Sequence, residues 1–264
     1  MDIVTRLRHA GCVFAEDEAA LLLAAAASPA ELESMVDRRV GGEPLEYIVG
    51  WAEFRGLRIA VEPGVFVPRR RTEFMVERAS ALVSPGGVIV DLCCGTGAIG
   101  VAVATDMSEF ELYAGEIDPA AVRCARRNVE PVGGQVFQGD LYDALPAEIR
   151  GRVDVLLVNA PYVPTDEIGM MPPEAREHEA RVALDGGSDG LDLHRRVAAD
   201  ASAWLRPGGH VLIETSVRQA ASTARLLTAA GLTAGVAHSE DVDGTIAVGR
   251  RPVSSAYDGD PSEH

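Results

Sequence analysis

Short apolar runs alternate with helical patterns from residue 87 to the end of the chain. Each run ends in polar or glycine-rich residues, as buried strands do, and the segments between them repeat apolar residues at helical spacing. The predicted strands are GVIVDL (87–92), ELYAGEI (111–117), GGQVFQGDL (133–141), VDVLLVN (153–159), PGGHVLIET (207–215), GLTAGVAH (231–238) and GTIAVGRR (244–251). Because strands separated by helices form parallel β-α-β units, the pattern predicts an α/β fold with a doubly wound sheet.

The first 40 residues have a different pattern, which predicts short helices. An Ala/Leu-rich segment at 17–26 is followed by SPAELESMVDRRV (28–40). Ser28 can cap the second of these helices, with Pro29 at its first helical position. The sequence GGEPL (41–45) then ends the helical pattern.

Residues 46–67 have the pattern of a β-hairpin, with Gly56 near its turn. The last residues are polar and contain Pro and Gly, which is typical of a disordered tail. The predicted organisation is a helical domain (1–41), a hairpin connector (42–71), a larger α/β domain (72–250) and a disordered tail (251–264).

Composition and charge exclude some classes of protein. Hydrophobic residues make up 47% of the chain, enough for a full core, and no apolar run approaches the ~18 residues of a membrane span. The N-terminus lacks the pattern of a signal peptide, so we expect a cytoplasmic protein with no membrane partner. The net charge of −16 argues against nucleic acid as the main partner. A monomer is the favoured oligomeric state.

Cysteines and histidines do not indicate a metal site. The four cysteines, Cys12, Cys93, Cys94 and Cys124, lack metal-ligand spacing and are interpreted as buried thiols. His178 and His194 are interpreted as surface residues without a chemical role.

A glycine-rich turn follows the strand at 87–92. Gly95, Gly97 and Gly100 match the G-x-G-x-x-G pattern of dinucleotide-binding folds, although such a turn can be purely structural. Asp91 stands near the end of the strand, where its carboxylate would repel a pyrophosphate at the helix N-terminus. A ligand with a cationic amino group and a sulfonium suits this charge, so the turn favours S-adenosylmethionine over a nicotinamide cofactor.

Acidic residues also follow the next two strands. Glu116, 19 positions after Gly97, can accept hydrogen bonds from ribose hydroxyls with either kind of cofactor. Its neighbour Asp118 is better placed as a helix N-cap. Asp140 is either a turn residue or an acceptor for the adenine amino group. Ligands of open α/β sheets bind at the carboxyl ends of the strands. Asp91, Glu116 and Asp140 together therefore indicate a site for S-adenosylmethionine there.

The strand at 153–159 ends in Asn-Ala-Pro-Tyr (159–162). Methyl transfer to an amide or aromatic amine is difficult because the nitrogen lone pair of such a substrate is delocalised. The side-chain oxygen of Asn159 and the carbonyl oxygen of Ala160 can accept hydrogen bonds from the two N–H groups of the substrate. These bonds orient the nitrogen and strengthen as positive charge develops on it. Pro161 would stiffen the turn and Tyr162 would wall the substrate slot. Asn-x-Pro is also a common structural turn, so its position in the fold is what favours catalysis.

These motifs occur in the order of one protein family. DLCCGTGAIG (91–100) followed by VNAPYVP (158–164) resembles the protein-(glutamine-N5) methyltransferases of the HemK/PrmC type, which methylate the glutamine of the Gly-Gly-Gln loop in peptide-chain release factors. Residues 42–77 and 183–214 are similar to the family's connector and to the segment after its Asn turn. The resemblance covers residues 42–250.

The resemblance implies a class I S-adenosylmethionine-dependent methyltransferase with a Rossmann-like, seven-stranded sheet and a β-hairpin connector. It also implies that the small N-terminal helical domain (1–41) recognises the substrate. It implies S-adenosylmethionine as the methyl donor and a release factor as the protein substrate. The residues implied to hold the donor are Asp91, Cys93, Gly95, Thr96, Gly97, Glu116, Ile117, Asp140, Leu141 and Asn159, with Arg69, Thr72 and Glu73 around its lid. Those implied to act on the target glutamine are Asn159, Ala160, Pro161 and Tyr162.

Some positions depart from the family's pattern and indicate a divergent branch. Ala160 replaces the first Pro of Asn-Pro-Pro-Tyr, although its carbonyl acceptor is kept. PRRRTE (68–73) replaces Pro-Arg-Pro-Glu-Thr-Glu, Glu179-Ala180 replaces a Glu-Pro pair, and the helical region before Gly42 is shorter.

Three functions follow in order of preference. The first is methylation of a glutamine side chain in a protein. The second is N6-methylation of adenine in nucleic acid, which can use the same Asn-x-Pro-Tyr chemistry but requires an unstacked base. The third is a donor-binding protein that no longer transfers methyl groups.

We further expect residues 165–190 to form a loop that orders around the substrate.

Overall fold

A single seven-stranded sheet organises most of the chain in the computed structural model, which describes residues 2–253. The strands are β1 (Trp51–Phe54), β2 (Leu57–Ala60), β3 (Gly87–Leu92), β4 (Phe110–Glu116), β5 (Gln135–Gln138), β6 (Val153–Val158), β7 (Leu205–Glu214), β8 (Thr233–Ser239) and β9 (Gly244–Arg250). The sheet has the order β5-β4-β3-β6-β7-β9-β8, with β3 to β7 parallel and β9 antiparallel to both its neighbours. The predicted α/β class and doubly wound sheet are confirmed.

Helices cover both faces of this sheet. They are α1 (Ile3–His9), α2 (Ala15–Ala25), α3 (Pro29–Val40), α4 (Leu45–Val49), α5 (Glu73–Ser80), α6 (Ala98–Thr105), α7 (Pro119–Val129), α8 (Pro173–His178), α9 (Asp192–Trp204) and α10 (Val217–Ala229). Alternate residues of the central strands point to opposite faces, as the two-residue period of a strand requires. Ile89 and Val155 pack against α5, α6 and α7, whereas Val90 and Leu156 pack in the core with α9 and α10. Since both faces are buried, β3 and β6 are apolar along most of their length.

The N-terminal helices have a small core of their own. Leu7, Leu22 and Val36 are completely buried within it. The side chain of Ser28 accepts a hydrogen bond from the backbone N–H of Glu31, and Pro29 opens α3, as predicted. The predicted hairpin is also present, with β1 and β2 joined by a turn at Arg55 and Gly56. The domain boundaries themselves stay predictions.

One interpretation of the sequence is wrong. His194 lies in α9 and is completely buried, with its Nδ1 atom 3.0 Å from the hydroxyl oxygen of Thr223 in α10. The helical period turns it towards the sheet, and burial lowers its pKa to about 4, so the ring stays neutral.

Residues 254–264 of the predicted tail lie outside the described residues. No helix within residues 2–253 is both long and apolar enough to cross a membrane.

Candidate active site

A cavity of about 370 Å³ opens at the carboxyl edge of the sheet. Its walls come from the turns after β3, β4, β5 and β6, from the connector and from the segment that follows β6. Most of the residues predicted for the site line it: Thr72, Cys93, Gly95, Thr96, Glu116, Ile117, Asp140, Leu141, Asn159, Ala160, Pro161 and Tyr162. Asp91, Gly97, Arg69 and Glu73 do not line the cavity and lie around it.

The glycine turn after β3 needs backbone conformations that favour glycine. Gly95 and Gly97 have φ angles of 55° and 77°. A Cβ atom on Gly97 would also lie 2.5 Å from Cγ2 of Val129, so α7 packs directly on the turn. The side chain of Asn128, also in α7, donates to the carbonyl oxygen of Thr96 at 2.9 Å. The turn is therefore fixed both by its own conformation and by α7.

Asn128 also connects this turn to the β-hairpin. Its side-chain oxygen accepts from the backbone N–H of Ala60 at 2.8 Å, and its side-chain nitrogen donates to the carbonyl oxygen of Ala60 at 3.0 Å. One amide thus holds the end of β2 beside the turn that lines the cavity.

Asp91 lies behind the glycine turn and is completely buried. Its Oδ2 atom accepts a hydrogen bond from the backbone N–H of Gly100 at 2.8 Å, whereas Oδ1 has no partner within residues 2–253. Burial raises the pKa of this carboxyl to about 7; the Gly100 N–H opposes the rise and the nearby Glu116 carboxylate adds to it. A buried carboxyl with an unpaired oxygen favours a cationic partner.

Glu116 lines the cavity at the end of β4. Its Oε2 atom accepts from the backbone N–H of Gly95 at 2.9 Å. Oε1 accepts from the N–H groups of Ile117 and Asp118 at 2.8 and 3.0 Å. A carboxylate has about four acceptor positions, so this one is held in a fixed orientation with capacity left for a ligand hydroxyl. Asp118 itself caps α7, as predicted.

Asp140 forms an ion pair with Arg196, a residue of α9 that the sequence did not indicate. Their closest nitrogen and oxygen atoms are 2.8 Å apart, and both side chains are about half exposed. Both residues line the cavity beside Ile117 and Leu141. This end of the cavity therefore combines apolar surface with one charged pair.

The Asn-Ala-Pro-Tyr turn forms the opposite part of the wall. Ala160 is 1% exposed and packs into the core behind the sheet. Neither the side-chain amide of Asn159 nor the carbonyl of Ala160 has a hydrogen-bond partner among residues 2–253. Two neighbouring acceptors in a cavity wall are suited to binding a group that carries two N–H donors.

Tyr162 is held by a buried carboxylate that sequence reasoning missed. Its hydroxyl donates to Oε1 of Glu214, the last residue of β7, at 3.3 Å. Burial raises the pKa of both groups. The ring of Tyr162 also packs against His194, with ring centroids 6.4 Å apart. Glu214 lies close to the turn because β7 is next to β6 in the sheet, and the local sequence does not indicate that pairing.

The segment at residues 165–190 contains the short helix α8 and is tied to the connector. Glu179 is buried, accepts from the backbone N–H of Val67 at 3.4 Å and pairs with the guanidinium of Arg69. The N–H of Ala180 donates to the carbonyl of Gly64 at 3.3 Å. Arg69 thus holds this segment in place and does not itself line the cavity.

Comparisons with known proteins place the chain among methyltransferases. Residues 56–188 match the family model described as the methyltransferase small domain. The release factor glutamine methyltransferase of Geobacter sulfurreducens is 38% identical over 209 residues, which cover 77% of this chain and 72% of that protein. The 4-amino-L-phenylalanine/4-methylamino-L-phenylalanine methyltransferase of Streptomyces pristinaespiralis is 40% identical over 205 residues, which cover 74% and 69%.

A solved structure shares the fold. The methyltransferase of Pyrococcus furiosus has a TM-score of 0.57 at 16% identity, over 76% of this chain and 91% of that one. At that identity the likeness concerns the fold alone.

Proposed function

This chain belongs to the release factor glutamine methyltransferase family, and we propose that it methylates the side-chain amide nitrogen of a glutamine in a protein, with S-adenosylmethionine as the donor. The proposed substrate is the Gly-Gly-Gln loop of a peptide-chain release factor. The observation that carries this proposal is the pair of acceptors at Asn159 and Ala160, in the wall of the cavity that the glycine turn also lines.

The residues around the glycine turn fit the donor. Asp91 and Glu116 make this end of the site acidic, whereas the charge of Asp140 is balanced by Arg196. This acidity favours a cationic ligand and disfavours a pyrophosphate. Asp91 would balance the positive charge of the donor, Glu116 would accept from its ribose, and Ile117 and Leu141 would contact its adenine. When bound, S-adenosylmethionine supplies an electrophilic methyl group on a sulfonium.

The chain's own residues would act by orienting the target nitrogen. Asn159 and the carbonyl of Ala160 accept its two N–H groups and so direct its lone pair into the cavity. As positive charge develops on the nitrogen, both hydrogen bonds strengthen, which stabilises the transition state more than the ground state. The proton can leave after transfer, so no general base is required. Tyr162 closes the side of the slot.

A second candidate is N-methylation of a small aromatic amine. The Streptomyces pristinaespiralis relative is named for such a substrate and is about as similar to this chain as the release factor enzyme. An aromatic amine also has a delocalised lone pair and two N–H groups, so the same two acceptors suit it. N6-methylation of adenine requires the same chemistry, but the net charge of −16 disfavours a phosphate backbone.

One labelling experiment separates these substrates. The protein is incubated with tritiated S-adenosylmethionine and one of four acceptors: a release factor, the same factor with the loop glutamine replaced by alanine, 4-amino-L-phenylalanine, or an adenine oligonucleotide. We expect label in the wild-type release factor and in none of the other three.

The other outcomes identify the alternatives. Label in the small amine or in the oligonucleotide alone would replace the proposed substrate by that one. Donor binding in calorimetry without label in any acceptor would support a binding protein instead. Label in both forms of the release factor would show that the loop glutamine is not the target.

A further inference from the structure

The first turn of α10 contacts the Asn-Ala-Pro-Tyr turn through one side chain. Nε2 of Gln219 lies 2.9 Å from the backbone carbonyl oxygen of Tyr162 and 3.0 Å from that of Asp189. Gln219 therefore connects the turn after β6 to the end of the 165–190 segment. It does not line the cavity.

The amide of Gln219 has one possible orientation. Both carbonyl oxygens can only accept hydrogen bonds, so the NH₂ group must face them. Its oxygen Oε1 accepts from the hydroxyl of Ser216 at 2.5 Å. The two N–H groups and the oxygen of this amide therefore all have hydrogen-bond partners. One N–H group faces the turn after β6, and the other faces the end of the 165–190 segment.

Helix α10 gives up a common stabilising arrangement to make these contacts. The pattern Ser-x-x-Gln at 216–219 is that of a capping box, in which the Ser and Gln side chains each bond to the other's backbone N–H. Here Ser216 makes no side-chain capping bond, and its hydroxyl donates to the Gln219 side chain instead. The amide thereby stays available to Tyr162 and Asp189.

The surrounding glycines show how closely these segments pack. A Cβ atom on Gly190 would lie 2.3 Å from both Nε2 of Gln219 and the carbonyl oxygen of Tyr162. A Cβ atom on Gly186 would lie 2.8 Å from the carbonyl oxygen of Pro161. The approach of the 165–190 segment to the catalytic turn thus requires residues without side chains at these positions.

We infer that Gln219 is a positioning residue for methyl transfer, acting through the backbone of Tyr162 on the acceptors at Asn159 and Ala160. This inference rests on the proposed function. The Tyr162 carbonyl is two residues beyond that of Ala160, and Pro161 between them limits the backbone angles of the turn. Holding Tyr162 at its carbonyl by Gln219 and at its hydroxyl by Glu214 leaves the acceptors little freedom to rotate.

The test uses the whole protein with Gln219→Ala and Gln219→Glu. Glu keeps the shape but turns acceptor oxygens towards two carbonyl oxygens. We expect kcat to fall roughly tenfold or more in both variants, because small displacements of positioning groups are costly, with donor Kd within about twofold. Ser216→Ala, which removes only the bond to Oε1, should lower kcat by about two- to threefold. Arg225→Ala, on the exposed surface of α10, is the matched control and should match wild type.

A double-mutant cycle tests whether Gln219 acts through the turn. Once Asn159 is replaced by alanine, Gln219→Ala should lower kcat by much less than it does alone. Rates are normalised to the fraction of protein that binds donor, so that misfolding does not imitate the effect. A kcat equal to wild type in the Gln219 variants, while Asn159→Ala lowers kcat as expected, would overturn this inference alone. A wild-type kcat in Asn159→Ala would overturn the proposed function.

Discussion

Asp91 is a single carboxyl whose charge changes near neutral pH. Its pKa of about 7 lies above the ordinary value of 3.8 because the side chain is buried. Between pH 3.8 and about pH 7, Asp91 therefore keeps its proton in the folded chain and has lost it in the unfolded chain. The contribution of Asp91 to the free energy of unfolding is full below pH 3.8 and falls as pH rises to about 7.

Binding of a cationic donor should reverse this shift. A positive charge near Asp91 favours its ionised form and lowers its pKa, so we expect donor binding to release a proton at about pH 6.5. Affinity should therefore rise with pH up to about pH 7 and level off above it, where Asp91 is already ionised in the free protein. Calorimetry in buffers with different ionisation enthalpies measures both effects. Asp91→Asn should weaken binding and remove the proton release. Unchanged affinity in that variant would remove the argument against a nicotinamide cofactor.

Asn159 is the residue whose loss should affect turnover without affecting donor binding. Asn159→Ala is expected to lower kcat roughly 10²-fold or more, in the range typical of one lost preorganised hydrogen bond in a transition state. Donor Kd, measured by calorimetry, should change little because the proposed donor site lies mainly at the glycine turn. An equal loss of donor affinity would instead assign Asn159 to donor binding.

Residues with a local signal could be predicted from the sequence, and residues placed by distant strands could not. Glu116 ends β4, Asn159 directly follows β6, and Asp118 precedes a helix with Pro at its first position. Their places therefore follow from local pattern. Glu214 and Arg196 reach the site from elements far along the chain. No period or motif in their own segments indicates which neighbours they meet.

At the scale of elements, the glycine turn and its packing on α7 can be tested with a matched pair of glycines. Gly97 and Gly231 have similar φ angles of 77° and 85°, but a Cβ atom meets Val129 at 2.5 Å in the first case and nothing within 4 Å in the second. Gly231→Ala should lower the free energy of unfolding by about 1–2 kcal/mol, from backbone strain alone. Gly97→Ala should cost about 1–3 kcal/mol more because Val129 must also move. Urea unfolding measures both, and equal losses would mean that the α7 contact is unimportant.

Elements were predicted well where one period dominates and less well where contacts decide. The strands of the sheet and α7 follow from apolar runs and caps, and their predicted positions are confirmed. The 165–190 segment has no such period, and its short helices form around Glu179 and its contacts with the connector. The strand order of the sheet is likewise a property of packing between elements.

At the scale of the whole molecule, Arg39 connects the N-terminal helices to the 165–190 segment, which contains α8. Its guanidinium lies 2.6 Å from Glu18 in α2 and also pairs with Glu174 in α8. We expect Arg39→Ala to raise amide hydrogen exchange in α8 by several-fold, because α8 loses its link to the N-terminal helices. Arg38→Ala is the control, since Arg38 pairs with Glu43 on its own side of the molecule. Equal exchange in α8 in both variants would show that the Arg39 pair does not order this segment.

Asn128 has a consequence for how this protein can change in evolution. One short amide uses its oxygen and its nitrogen on backbone atoms of Ala60 and Thr96, in two segments far apart in sequence. Aspartate lacks the donor, a hydroxyl is too short, and glutamine is longer by one methylene group. A substitution here would break the hydrogen bonds to the hairpin and to the glycine turn together, so this position should tolerate far less drift than the neighbouring surface of α7.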